Sequence, residues 1–135
     1  MVMIASNEFG NDDIDSYAGL SKRSPFLAAS LTIFLLSLAG IPPLAGFIGK
    51  FFVFSSAIEA GAVTLVVAAA LNSAVAAFYY FKVVRVMYLT PATSHSPLTH
   101  PAPLMIALCL MLLGTIAMGL APVPFITFVK QMLLI

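Results

Sequence analysis

Three long stretches without a charged residue constrain this fold more than any other feature. They cover residues 25–49, 61–81 and 101–129. Each is long enough for a membrane-spanning helix, which needs about 20 apolar residues at ~1.5 Å each. Only 8% of the 135 residues are charged, against about 25% in soluble domains. We therefore predict an all-α integral membrane protein, and exclude a soluble enzyme, a disordered tail and a nucleic-acid binder.

The first apolar stretch contains a helix-breaking run. Gly40 is followed by Ile41, Pro42 and Pro43, and two prolines remove two backbone donors and restrict the residue that precedes them. A continuous helix cannot pass this point. Two structures remain: a tight hairpin of two spans, or one span built from two half-helices with an unwound centre.

Positive charges beside the apolar stretches favour the single broken crossing. Lys22 and Arg23 precede the first stretch, and Lys82 and Arg85 follow the second. Lysine and arginine concentrate on one side of a membrane, and the two pairs share a side only if the first stretch crosses once. We predict three transmembrane segments, although Lys130 then falls on the opposite side, against the trend.

The predicted boundaries follow from these charges and from the prolines. A polar lead-in loop lies at the membrane surface, and an irregular loop precedes the third span because it is rich in proline. The predicted segments are a lead-in loop at 1–24, a broken transmembrane helix at 25–60, a second transmembrane helix at 61–89, a proline-rich loop at 90–103, a third transmembrane helix at 104–121 and an interfacial tail at 122–135.

Lys50 is the strongest candidate for a functional residue. It lies about ten residues before Gly61, or ~15 Å along a helix, which is half of the ~30 Å hydrocarbon core. A lysine there costs roughly 2.5–3.5 kcal/mol on insertion scales. A charge at this depth faces protein or water and usually has a function, so Lys50 is predicted to carry protons.

The surroundings of Lys50 fit such a site. The break frees backbone groups that lipid cannot satisfy, so it must be buried in protein or line a wet cavity. Discontinuous helices near the midplane recur in ion transporters. Gly46 and Gly49 keep the helix slim beside Lys50 and allow a neighbour to approach. The predicted break residues are Gly40, Pro42, Pro43, Gly46 and Gly49.

A purely structural role for Lys50 is the alternative. The lysine would then only pair with an acid on another helix. Glu59 is nine residues further along the same helix, near the surface, so it is a poor partner. The expected partner lies in a segment outside this sequence.

Weaker candidates lie on the second span and in the loop that follows it. Asn72 and Ser73 would line the proton path if they have a function, and helix-to-helix hydrogen bonding is the favoured alternative. Lys82 sets topology or ends a proton exit route. His95 and His100 lack companion ligands, so neither a metal site nor a cofactor site is predicted in this chain.

The residues around the break carry a family resemblance. The run from Leu36 to Phe51, LSLAGIPPLAGFIGKF, strongly resembles subunit N of the proton-pumping NADH:quinone oxidoreductase, respiratory complex I, whose mitochondrial counterpart is ND chain 2. DIDSYAGL at 13–20 and AFYYFKVV at 77–84 are looser matches in the right order. The family's subunit is antiporter-like with fourteen spans, and the matched region is helices 12–14, the twelfth being broken.

The resemblance carries expectations about site, cofactors and partners. It places the family's broken-helix lysine, on a hydrophilic axis that carries protons, at Lys50. It implies a C-terminal fragment of a membrane-arm subunit with no activity or cofactor of its own. NADH, FMN, iron–sulfur clusters and quinone would be used by other subunits of the complex. The partners would be other membrane-arm subunits, including the rest of subunit N, in a bacterial inner membrane or an organelle membrane.

Two other functions remain open from the sequence. One is a subunit of a multisubunit cation/proton antiporter, or of a related plastoquinone- or hydrogenase-linked complex, which shares the antiporter plan. The other is a small structural or assembly protein of the membrane, for which loss of the Lys50 charge would be harmless.

Overall fold

The fold is known from a computed structural model, which describes residues 14–91 and 102–133. His95, His100 and most of the lead-in and proline-rich loops lie outside the described residues. A 3-10 turn at Ile14–Tyr17 precedes six α-helices, which we number in chain order: α1 Leu20–Arg23, α2 Pro25–Ala39, α3 Ala45–Glu59, α4 Val63–Leu89, α5 Ala102–Leu120 and α6 Pro122–Leu133.

The described part of the chain consists of helices joined by short non-helical segments and contains no strand, as the sequence predicts. Two helices, α4 and α5, are long and apolar enough to cross a membrane, and α2 is a shorter apolar helix. α4 has 27 residues, a length of about 40 Å. Large apolar side chains such as Leu71 and Phe78 are exposed on α4, as expected of a helix that meets lipid or other protein rather than water.

The chain reverses direction between α3 and α4. Gly61 adopts φ +76°, and its N–H donates to the Ile58 carbonyl at 2.9 Å, while the Ala62 N–H donates to the Ala57 carbonyl at 2.9 Å. This pairing satisfies the last carbonyls of α3 and needs a left-handed residue at the glycine position. α4 therefore returns beside the helices that precede it.

The buried core lies at the far end of α4. Met87 is fully buried and shares a cluster with Leu27 and Ala28 at the start of α2 and with Leu20 in α1. Leu108 of α5 completes the same cluster. The start of α2 thus packs against the end of α4, while the turn at Gly61 joins the end of α3 to the start of α4. The residues from 25 to 59 run the length of α4 in the opposite direction.

The third apolar stretch forms two helices rather than one. α5 ends at Leu120, Ala121 is outside any helix, and α6 begins at Pro122. Proline suits this first helical position because its missing N–H has no partner there. The tail that follows the third segment is therefore a second helix, which contacts α5.

Candidate functional site: a lysine at the broken helix

The break between α2 and α3 begins with a glycine cap. Gly40 adopts φ +87°, a left-handed conformation that favours glycine. Its N–H donates to the Ser37 carbonyl at 3.0 Å, and the Ile41 N–H donates to the Leu36 carbonyl at 3.1 Å. These bonds form a Schellman motif. It satisfies two of the four carbonyls that the end of any helix leaves without an intrahelical donor.

Lys50 satisfies the other two carbonyls. Its Nζ donates to the Leu38 carbonyl oxygen at 2.9 Å and to the Ala39 carbonyl oxygen at 3.0 Å. The lysine stem also lies close to Gly40, where an added Cβ would come within 3.0 Å of the Lys50 Cδ. The ammonium group of α3 thus caps the carboxyl end of α2, where the helix dipole favours a positive charge.

The start of α3 packs so closely against the end of α2 that no side chain fits between them at Gly46. The Gly46 N–H donates to the Ser37 Oγ at 3.1 Å. A Cβ on Gly46 would lie only 1.8 Å from the Ser37 carbonyl oxygen. Since Ser37 is 8% exposed, this contact is interior, and it explains a glycine at position 46.

Another glycine brings α5 onto the break. Gly119 is buried near the end of α5. A Cβ there would lie 2.0 Å from the Pro43 carbonyl oxygen and 2.7 Å from the Leu44 Cα. The backbone of α5 therefore touches the backbone of the break directly. The break is thus covered on this side by protein.

A cavity of about 380 Å³ lies beside Lys50. Its wall is formed by the end of α2 and the break, one face of α3, and the first half of α4. Lys50, Ser55 and Ser73 supply its polar side chains, and the rest of the wall is mostly apolar and aromatic. The volume can hold several water molecules, and those side chains can bond them.

The predicted site residues divide into three groups in the structure. Lys50 and Ser73 line the same cavity. Asn72, the neighbour of Ser73, is exposed. Lys82 lies in a separate hollow with Arg85 near the end of α4.

The break residues also differ from one another. Gly40, Gly46 and Pro43 make the close contacts described above. A Cβ at Gly49 would meet nothing within 4 Å in the described residues, so any neighbour that approaches there belongs to another part of the protein. Among the described residues, no group of three or more histidine, cysteine or carboxylate side chains could hold a metal ion.

Sequence reasoning missed four participants at this site. The Leu38 and Ala39 carbonyls had no sequence signal, because every residue carries a backbone carbonyl and only acidic side chains indicate a lysine partner. Ser37 lies in the run LSLAGIPPLAGFIGKF, but nothing in that run indicated its hydrogen bond with Gly46. Gly119 carried the one usable signal, since a glycine inside an apolar helix indicates close backbone approach.

The described chain thus belongs to a class of proteins with long apolar helices, in which a lysine of one helix, α3, bonds the carboxyl end of the helix before it, α2. Residues 1–76 match the family described as NADH:quinone oxidoreductase/Mrp antiporter, TM. Because the match covers more than half of the chain, the chain belongs to that family, and the predicted resemblance is confirmed.

The curated relatives are subunits named N. F(420)H(2) dehydrogenase subunit N of Methanosarcina mazei is 45% identical over 92% of this chain and 26% of its own length. NADH-quinone oxidoreductase subunit N of Dehalococcoides mccartyi is 37% identical over 96% of this chain and 27% of its own. This chain spans about a quarter of the length of these relatives.

A solved structure shows the same fold. One chain in respiratory complex I from Thermus thermophilus with bound aureothin is 33% identical, with a TM-score of 0.73. The match covers 81% of this chain and 25% of that chain. The protein is therefore an integral membrane protein whose relatives belong to an oxidoreductase complex.

Proposed function

We propose that this chain is the C-terminal part of a membrane-arm subunit of a proton-translocating NADH:quinone oxidoreductase, and that Lys50 carries protons within it. Redox chemistry takes place in other subunits, which hold the NADH, FMN, iron–sulfur and quinone sites. The partners are the remaining membrane-arm subunits and the rest of subunit N, in a bacterial inner membrane.

The proposal includes three crossings, the first of them made by α2 and α3 together. The support is that residues 25–59 run antiparallel to the whole of α4. The core cluster joins Leu27 to Met87 at one end, and the Gly61 turn joins α3 to α4 at the other. A hairpin would instead return α3 to the starting end of α2. The centre of this path is the break, and the Lys50 ammonium reaches back to it, so the charge then lies near the middle of the membrane.

One observation carries the role of Lys50: its Nζ bonds the last two unsatisfied carbonyls of α2. A protonated lysine has three N–H donors and no acceptor. Two donors hold the break closed, which leaves one for water or a neighbouring group. When the proton leaves, the attraction between charge and helix dipole is lost. Protonation of Lys50 is thus linked to the arrangement of the break.

The cavity beside Lys50 provides the local part of the path. Ser73 and Ser55 line it with the lysine, and bound water there can pass a proton between polar groups. The cavity is partly open, and we expect the rest of subunit N to supply the remaining wall and the next proton carrier.

The test compares two lysines in the complete complex. We expect Lys50→Met to lower the initial rate of NADH-driven proton pumping by about tenfold or more, since positioned proton carriers typically contribute 10²–10⁴-fold. Lys22→Met is the matched control, because Lys22 is exposed in α1 and is not among the predicted proton carriers. Pumping is measured in sealed membrane vesicles per amount of assembled complex. Normal pumping by Lys50→Met would contradict the proposal.

A related complex with another electron donor is the second candidate. The 45% identity to F(420)H(2) dehydrogenase subunit N supports it, and the family description also includes antiporters. The same vesicles, energised in turn with NADH, with reduced F420 or with a sodium gradient alone, separate the candidates. Pumping that follows only one of these energy sources identifies the complex.

A further inference from the structure

We infer that two close glycine contacts position Lys50 for proton transfer. They are Gly119 against the break and Gly46 against Ser37, and neither leaves room for a side chain. This inference rests on the proposed function, since it concerns how the lysine is held rather than whether it carries protons. Gly119 and Ser37 are positioning residues that act through Lys50.

Gly119 fixes the break from outside. An added Cβ at that position would stand 2.0 Å from the Pro43 carbonyl oxygen, and ordinary carbon–oxygen contacts are longer by more than 1 Å. The atoms that the Cβ would meet in Pro43 and Leu44 are backbone atoms, so the clash cannot be relieved by turning a side chain. The break or the end of α5 must move.

Ser37 fixes the start of α3 from inside. Its Oγ accepts the Gly46 N–H at 3.1 Å, and Gly46 follows Leu44 by only two residues. Pro43 and Leu44 are therefore held between α5 on one side and the end of α2 on the other. Lys50 lies little more than one helical turn beyond Gly46, so any displacement at the start of α3 is passed to the lysine.

The hydrogen bonds of Lys50 leave little tolerance for such a displacement. They measure 2.9 and 3.0 Å, and a shift of about 1 Å would break both. Misplacement by ~1 Å costs up to ~10²-fold in rate where reacting groups must be aligned. The close contact at Gly119 thus transmits the position of the third segment to the lysine.

The experiment uses the complete complex and a matched pair of glycines in α5. Gly119→Ala is expected to lower proton pumping per assembled complex by about tenfold. Gly114→Ala is the control, since a Cβ there meets nothing within 4 Å of the described chain, and its pumping should be unchanged. Equal pumping by the two assembled variants overturns the inference.

A double-variant measurement separates positioning from general destabilisation. If Gly119 acts through Lys50, adding Gly119→Ala to Lys50→Met lowers pumping no further, because the two residues serve one step. A further loss of the same size as in the single variant overturns the inference. If the Gly119→Ala complex fails to assemble, Ser37→Ala decides by the same comparison, since it adds no atoms and removes only the acceptor for Gly46.

Failure of the inference is distinguishable from failure of the proposed function. Normal pumping by Lys50→Met overturns both. Lost pumping by Lys50→Met with normal pumping by Gly119→Ala and Ser37→Ala overturns only the positioning role of the two contacts.

Discussion

The broken pair α2–α3 and the continuous helix α4 run side by side but satisfy their backbone hydrogen bonds in different ways. In α4 the helix bonds its own backbone groups over 27 residues, so no side chain is needed to satisfy them. In the pair, residues 40–44 are outside any helix. The two carbonyls that the glycine cap does not satisfy accept hydrogen bonds from the Lys50 ammonium instead. In the proposed single crossing, an open helix end and a charge at membrane depth are each costly, and each offsets the cost of the other.

The two regions also differ in whether a polar side chain is needed to satisfy the backbone. The polar residues of α4 could be replaced without exposing its backbone. Loss of Lys50 would leave the Leu38 and Ala39 carbonyls without their side-chain donor. The broken pair thus places Lys50, the proposed proton carrier, where the backbone already needs a donor.

The largest expected effect comes from breaking the continuous helix. Ala76→Pro in α4 removes an internal hydrogen bond and clashes with the preceding turn, which costs about 3 kcal/mol or more. The carbonyl freed by the proline has no side-chain donor comparable to Lys50 among the described residues, so we expect little assembled complex. The measurement is the amount of assembled complex on a native gel, with Ala76→Leu as control. Normal assembly of Ala76→Pro would show that α4 tolerates a break as the pair does.

A smaller effect distinguishes two glycines of α3. Gly46→Ala places a Cβ 1.8 Å from the Ser37 carbonyl oxygen, and overpacking of this kind costs about 1–3 kcal/mol. Gly49→Ala meets nothing in the described chain, so we expect assembly equal to wild type or slightly better, since alanine is the better helix former.

Thermal inactivation of the purified complex measures both glycine variants. Equal loss in the two would show that another part of the protein packs against Gly49 as closely as Ser37 packs against Gly46. That result would extend the crowded region beyond the break.

The smallest effect separates the two polar neighbours on α4. Ser73→Ala removes a hydroxyl from the wall of the Lys50 cavity, and we expect pumping to fall about two- to fivefold, the size of one neutral hydrogen bond. Asn72→Ala alters an exposed residue and should pump normally. The initial rate of pumping per assembled complex measures both. A larger loss from Asn72→Ala would place the path on another face of α4.

The sequence predicted the elements of this fold better than the contacts at the site. The uncharged stretches indicated the helices, and the prolines indicated where α2 ends, because both depend on local chemistry. The partners of Lys50 could not be predicted, since backbone carbonyls occur at every position and only the folded chain selects Leu38 and Ala39. The contact of Gly119 with Pro43 joins residues 76 positions apart, which no local pattern encodes.

The distribution of positive charge along the chain also predicted a topology. It predicted that Lys22 and Lys82 share one side of the membrane. Leu20 and Met87 lie in one buried cluster, so the two basic pairs lie at the same end of the bundle. Sequence spacing alone could not decide this, since the hairpin and the broken span have the same helices and the same loops.

Labelling of single cysteines in the assembled complex tests the central claim, that the broken helix crosses once and holds Lys50 at mid-membrane. Cys109 is exposed and is first replaced by serine. Lys22→Cys, Ala60→Cys and Thr90→Cys, all at exposed positions, are then treated with an impermeant maleimide in vesicles of each orientation. We predict that positions 22 and 90 label from one side and position 60 from the other. Labelling of positions 22 and 60 from the same side, with position 90 opposite, would contradict the account.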